Sequence, residues 1–401
     1  MEHTSTDHID LDSFHVSEEY GFLLEKPSTD LPEYYNVWID LASNLTHLIH
    51  THQLREQVHK MADLSPQHLR GHRQLRLAHL ALGFIVMGYV WQEGEHLPAQ
   101  VLPKALALPF WLVSKRLGLP PILTYADSVL ANWKLRDSTG GMDIGNLDLV
   151  FSFPGGESCR GFFLVSLLVE KAGSSGLQGA LEVMKARATC DLIMLQKGLH
   201  KVAQSLREMM KMLKLMHRHV DPVSFHGTLR IFFSGWRDNP MLPEGLHYEG
   251  ICDEPIQLSG GSAAQSSSIQ CFDALLGVRH EDQANAFLKR MRDYMPLAHR
   301  RLIETLSEHS SLRDYILSGS SPSVCHAYDA CVLALVDLRS YHICMVARFI
   351  TVPGSQARAS HCPLGGVCKA LDNTGTGGSK PIGFLKSVRD ATRRMLISDR
   401  M

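Results

Sequence analysis

The sequence predicts a mainly α-helical protein in two domains, and three observations carry that expectation. Apolar residues recur at steps of three and four over long stretches, which is the spacing of one helix face. Short strands do not alternate with helices as they would in a βα protein. The chain has 401 residues, more than a single core usually accommodates. A polar, Gly-containing stretch at 137–146 (DSTGGMDIGN) reads as the linker between a small N-terminal domain, 1–150, and a larger one, 151–401. A second stretch, 353–381, is rich in Gly, Ser, Thr and Pro and reads as a mobile loop inside the larger domain.

The elements follow in order. Residues 66–92 read as a buried helix that becomes continuously apolar at LALGFIVMGYVW (80–91), a run too short by itself to cross a bilayer. Short strands are expected near 148–153. In GLHKVAQSLREMMKMLKLMHRH (198–219), Leu199, Val202, Leu206, Met209, Leu213 and Met216 form a narrow apolar seam that suits a neighbouring helix. Asp221-Pro222 starts a further helix, with Asp as N-cap and Pro at the first helical position. Ser262 is placed to cap a helix that ends before Gly277. The latter part of a long helix, LRSYHICMVARFI (338–350), is followed by a last amphipathic helix at 381–397.

Composition excludes several classes. Net charge is −1 and no basic stripe stands out, so nucleic acid is not an expected partner. The nine cysteines are scattered without a CxxC pair, which suits a reducing compartment. The first residues, MEHTSTDHIDLDSF, are polar and acidic and unlike a signal peptide. A cytoplasmic protein without a membrane span is expected.

His342 sits inside the apolar stripe of Leu335, Leu338, Met345, Val346 and Phe349. Three readings are open: a neutral histidine satisfied by a backbone carbonyl, a catalytic base, or an axial ligand to haem iron. No GxSxG elbow accompanies the second. Three other segments also place polar groups among large apolar ones. Phe162 and Ser166 share a face, where Ser either bonds back to a helical carbonyl or serves a site. Tyr125, Ser128 and Val129 share another. Arg230 has His226 and Phe233 on its side; it either snorkels or clamps a carboxylate. The glycine-rich pieces FPGGES (153–158), SGGSAAQSS (259–267) and TGTGGSK (374–380) lack phosphate-loop spacing, which argues against nucleotide binding. Neither HRH (217–219) nor Cys362 with Cys368 completes a metal-site pattern.

Taken together, LPPILTYADSVLANW, FSFPGGESCRGFFLVSLLVE, RIFFSGWRDNP, GGSAAQSS, MRDYMP, LRSYH and GTGG resemble the indoleamine 2,3-dioxygenase family from about Tyr20 to the C-terminal helix. FPGGES, VWQEGE and SLRDYILS look closer to the family's second paralogue than to its first. The resemblance implies a two-domain helical haem dioxygenase. In it His342 is the proximal ligand of haem b, and Asp273 and Arg339 steady that ligand and a propionate. It implies an apolar indole pocket from Tyr125, Val129, Phe162, Phe163 and Phe225, with Ser166 beside the ring and Arg230 on the substrate carboxylate. Gly261, Ser262 and Ala263 match a loop over the haem edge, and Thr376 a mobile loop that closes on substrate.

The implied reaction opens the indole C2–C3 bond of L-tryptophan with O2, giving N-formylkynurenine. A cellular reductant and an immune-regulatory role are implied with it. Four pocket positions depart from the first paralogue: Ser128, His226, Phe233 and Ile269. Of these, a charged His226 would weaken the Arg230 clamp and a bulky Phe233 would narrow the pocket, so slower tryptophan turnover is expected. A function of another class is a haem-binding signalling protein. LHYEGI (246–251) fits a tyrosine-based inhibitory motif, through which phosphorylated Tyr248 would engage an SH2 domain.

Overall fold

A computed structural model describes residues 10–308, 312–319, 321–359 and 381–398. Helices dominate it. Among the described residues the strands are two-residue pieces: Val101–Leu102 pairs in parallel with His247–Tyr248, and Lys134–Leu135 pairs antiparallel with Leu147–Asp148. The second pair brackets residues 137–146, so the expected linker is the loop of a small hairpin. Asn146 ties it down, donating from Nδ2 to the carbonyls of Asp137 (3.0 Å) and Gly141 (2.9 Å). One cluster of buried apolar side chains runs from Leu11 to Ile397.

The helix Gly71–Trp91 crosses this core and is buried from Leu75 to Trp91. It starts later than residue 66 because Pro66–His68 form a separate 3₁₀ turn and Arg70 is extended. By length and composition it could cross a bilayer, as could Pro322–Gln356. The expectation of too short a run is thereby corrected, since the helix reaches back beyond residue 80. Its most apolar stretch is 94% buried inside the protein, which is the condition of a core helix.

The predicted seam at 198–219 belongs to Leu192–Leu213 and a short helix, Met216–His219. Asp191 caps the first, accepting from the amides of Ile193 (3.0 Å) and Met194 (2.9 Å). Leu199, Val202, Leu206 and Met209 are buried against Ser174–Ala188 and Pro322–Val346, so this seam is core packing. Gly179 and Gly198 permit the close approach. A Cβ on Gly179 would lie 2.7 Å from the Gly198 carbonyl oxygen.

Two caps are resolved at the other predicted termini. Asp221 accepts from Ser224 N at 2.7 Å and Pro222 takes the first helical position, as expected. Ser262 caps the 3₁₀ turn Ala263–Gln265, whereas Ser266 caps the helix Ser267–Leu276. Gly277, at φ 69°, ends that helix in the left-handed conformation.

The long helix Pro322–Val346 runs on through a π turn, Ala347–Thr351, into Val352–Ala359. Residues 353–359 are therefore helical, and the stretch expected to be a loop from 353 does not begin as one. Pro353 brings no amide donor, and the wider π turn just before it accommodates the lost bond. The helix Pro381–Arg393 packs back along Pro322–Val346.

Candidate active site

These helices enclose a cavity of about 340 Å³, within the range of small-molecule and cofactor sites. The long helix lines it with Leu338, Arg339, His342, Met345 and Val346, and its π turn adds Phe349 and Ile350. The stripe read from the sequence is thus a cavity wall, except for Leu335, which is buried without lining it. His342 is half-buried, its exposed part opening on the cavity, and no described residue hydrogen-bonds its ring. Burial, with the positive charge of Arg339 added, pushes its pKa down to about 4. The imidazole is therefore neutral at pH 7, the form that ligates a metal.

Arg339 also lines the cavity. Its Nη2 donates to Asp273 Oδ2 at 2.6 Å, and its Nη1 to Thr392 Oγ1 and to the Val388 carbonyl at 3.5 Å. Asp273 accepts in addition from His280 Nε2 at 3.1 Å and does not line the cavity itself. Burial alone would raise the Asp273 carboxyl, but Arg339 and His280 outweigh it and hold its pKa down at about 2. This ionic triad joins the long helix to Ser267–Leu276 and to the last helix.

The opposite wall comes from Gly156–Ala172, which presents Phe162, Phe163, Ser166, Val169 and Glu170. Phe233 stacks on Phe162 (5.2 Å, 25°) and stands edge-on to Phe163 (5.5 Å, 82°). Phe225 joins this cluster to the long helix, 4.9 Å from Phe162 and 6.0 Å from Phe349. Arg230 is 1% exposed and lines the same cavity, as do Tyr125, Ser128 and Val129. Ser166 donates to the Phe162 carbonyl at 2.8 Å and Ser128 to that of Thr124 at 3.0 Å, so both serines back-bond to their helices while facing the cavity.

The loop Gly261, Ser262 and Ala263 completes the rim. It is seated by Gly260, where a Cβ would lie 1.9 Å from the Phe233 carbonyl oxygen. One expected pocket residue is elsewhere. His226 is buried but is not among the residues that line the cavity; residues 225–229 wind as a π turn and 230–233 as 3₁₀. Thr376 lies outside the described residues.

Sequence reasoning missed Glu170. It is 1% exposed, four residues after Ser166, and faces the cavity. Its carboxylate accepts from Tyr125 OH (3.0 Å), Ser266 Oγ (2.5 Å) and Ser268 Oγ (2.6 Å). Burial raises its pKa against these three donors. An acid at i+4 from a pocket serine on an apolar helix was the available signal. Phe384 and Val388 of the last helix were missed too, because nothing local ties that helix to the site.

The cavity therefore presents one neutral imidazole to a broad apolar space that also holds a buried arginine. A profile of indoleamine 2,3-dioxygenases matches residues 10–395. The chain belongs to the indoleamine 2,3-dioxygenase family. Indoleamine 2,3-dioxygenase 2 of Homo sapiens is 48% identical over 395 residues, covering 98% of this chain and 97% of that one. Indoleamine 2,3-dioxygenase 1 of Rattus norvegicus is 45% identical, covering 97% and 96%. A protein named Myoglobin, from Haliotis madaka, is 37% identical over 96% of this chain and 99% of its own.

As a family member the chain is a haem-dependent tryptophan and indoleamine 2,3-dioxygenase, an oxidoreductase with haem as its cofactor. The residues present fit that group. His342 opens on an apolar cavity without a partner among the described residues, aliphatic and aromatic walls flank it, and a guanidinium stands one helical turn away at Arg339.

Proposed function

We propose that the chain opens the indole C2–C3 bond of L-tryptophan with dioxygen to give N-formylkynurenine. One observation carries this reading: His342 and Arg230 share a single cavity. That pairs an imidazole fit to ligate iron with a guanidinium fit to hold a carboxylate. Haem held at His342 would supply the activation of dioxygen, which no side chain provides. Arg230 binds the substrate carboxylate as a two-donor fork. Phe162, Phe163, Phe225 and Phe233 orient the indole ring and exclude water. Ser166 has committed its hydroxyl hydrogen to the Phe162 carbonyl, which leaves its lone pairs to accept from an indole N–H. No side chain is needed as a base.

Asp273 fixes Arg339, and through it the turn that carries His342; Arg339 would also offer its positive charge to a haem propionate. The larger part, 151–401, would hold the haem, and the smaller, 1–150, supplies Tyr125, Ser128 and Val129 to the same cavity. The protein works in the cytoplasm with a cellular reductant. Its turnover is slower than in the first paralogue. Phe233 supports this by filling space against Phe162 and Phe163; His226 does not, being away from the cavity lining. No observation favours signalling through Tyr248. That side chain is fully buried in the His247–Tyr248 strand and donates to the Pro121 carbonyl at 2.6 Å.

Steady-state N-formylkynurenine formation tests the reading. Arg230→Ala is expected to raise KM for L-tryptophan at least about tenfold, the scale of a lost charged contact, and Phe233→Leu to raise kcat/KM. Equal kcat/KM in this chain and a first-paralogue enzyme, with the same reductant, would defeat the slower-turnover part. An unchanged KM in Arg230→Ala would defeat the carboxylate clamp.

A further inference from the structure

Among the described residues that line the His342 cavity, Glu170 is the acid. It is 1% exposed, and its described partners are three neutral hydroxyls, not a cation. A carboxyl taken out of water without a counter-charge is costly. An apolar side chain would simply continue the helix face that carries Phe163 and Leu167. Glu170 also stands in the last turn of Gly156–Ala172, where the helix dipole disfavours negative charge. The stability of its own helix therefore does not account for it, whereas the segments it ties together do.

One carboxyl oxygen, Oε1, accepts from Tyr125 OH at 3.0 Å and from Ser266 Oγ at 2.5 Å, and Oε2 accepts from Ser268 Oγ at 2.6 Å. Tyr125 opens the short helix Tyr125–Ser128 and lines the cavity. Ser266 follows the rim loop and caps Ser267–Leu276. Its hydrogen goes to Glu170 while its oxygen accepts from the Ile269 amide at 3.3 Å. Rim and tyrosine are also joined directly. The Tyr125 amide donates to Gln265 Oε1 at 2.9 Å, and Gln265 Nε2 donates to the Gly260 carbonyl at 2.9 Å. Tyr125, Glu170, Ser266 and Gln265 thus close a ring of bonds at one corner of the cavity. Glu170 follows Ser166 by one helical turn, so this corner is built onto the helix face that presents Ser166.

We infer that Glu170 is a positioning residue: its carboxyl fixes the Tyr125 ring and the rim loop against the helix of Ser166, and so sets the width of the pocket for the indole ring. The role rests on the tryptophan reading of the cavity. Without the acid, three hydroxyls lose their acceptor and the Tyr125 ring loses its tether, so the wall loosens. An amide of the same size restores the tether. Its oxygen accepts from Tyr125 and Ser266, and its nitrogen donates to Ser268, whose hydroxyl turns to accept.

Two readouts on the haem-loaded full chain test this. One is kcat/KM for opening of the indole ring, and the other is the dissociation constant from the Soret shift on binding. Each is measured for L-tryptophan and for L-tryptophan methylated at C5, C6 or C7. A close-fitting wall discriminates against one methyl by about tenfold or more. In Glu170→Ala that discrimination is expected to shrink by at least about fivefold at one or more ring positions. KM for L-tryptophan should rise more than kcat falls, with haem content and helical circular dichroism unchanged. Glu170→Gln is expected to stay within about twofold of the wild type. Tyr125→Phe and Ser268→Ala, milder changes that keep the acid, should shift discrimination the same way by less, and Tyr125→Phe should add little to Glu170→Ala. Discrimination unchanged in both Glu170→Ala and Tyr125→Phe, or lost equally in Glu170→Gln, would overturn the inference. A wild type that binds L-tryptophan and forms no product would defeat the proposed function instead, and the Soret titrations would still decide the role of Glu170.

Discussion

His79 and His342 look alike in the sequence, each a lone histidine on a long apolar helix, and they differ in what their rings touch. His79 is fully buried with both nitrogens used. Nδ1 lies 2.9 Å from Asp127 Oδ1, and Nε2 lies 3.1 Å from Ser114 Oγ and 3.2 Å from the Pro120 carbonyl. His342 is bonded by no described residue and opens on the cavity. The difference separates a histidine that holds the fold from one kept for a ligand. Buried polar groups are ordinarily satisfied, so an imidazole left to a cavity calls for a partner from outside the chain.

The contrast can be broken or sharpened by substitution. His342→Ala is expected to remove haem almost entirely while the fold persists, read as loss of the Soret band with an unchanged helical circular dichroism signal. His79→Leu should do the reverse. It leaves the buried Asp127 carboxylate without one of its hydrogen-bond partners and costs about 1–3 kcal/mol, measured by urea unfolding, with haem per folded molecule unchanged. Haem loss without loss of stability in His79→Leu would erase the distinction.

Asp273 lies between these extremes, since it supports both the fold and the site. Its pKa is depressed to about 2, so its carboxylate stabilises the protein above the ordinary carboxylate range near pH 4. That contribution, about 2 kcal/mol, is lost as pH falls from about 4 through about 2. Asp273→Asn should remove it at pH 7, flatten the acid limb of the stability curve and weaken haem retention by about tenfold. An unaltered acid limb would show that the triad with Arg339 and His280 is not the cause. The smallest effect is expected at Tyr248→Phe. It should cost about 1 kcal/mol, one buried hydrogen bond, and leave turnover unchanged.

Much of this was legible along the chain. The helical class, the stripe around His342, the Asp221 cap and the back-bonding of Ser166 all follow from local spacing, because i, i+3 and i+4 neighbours are set by one helix. The meaning of His342 was not. Spacing alone left three readings open, and its resemblance to a known family chose among them. His226 does not line the cavity, and α periodicity is a poor guide around it because the backbone there is π and then 3₁₀. Glu170 went unnoticed because its partners, Tyr125, Ser266 and Ser268, lie on distant segments. The helix that ends at Gly277 is capped by Ser266 and not by Ser262, because both serines fit the same local signal.

The most direct test of the central claim is chemical rescue at position 342. His342→Gly, mixed with haemin and then titrated with free imidazole, should recover the wild-type Soret band and its shift with CO on reduction. His79→Gly should show no such dependence on imidazole. A His342→Gly protein that keeps the wild-type spectrum without imidazole would contradict the account.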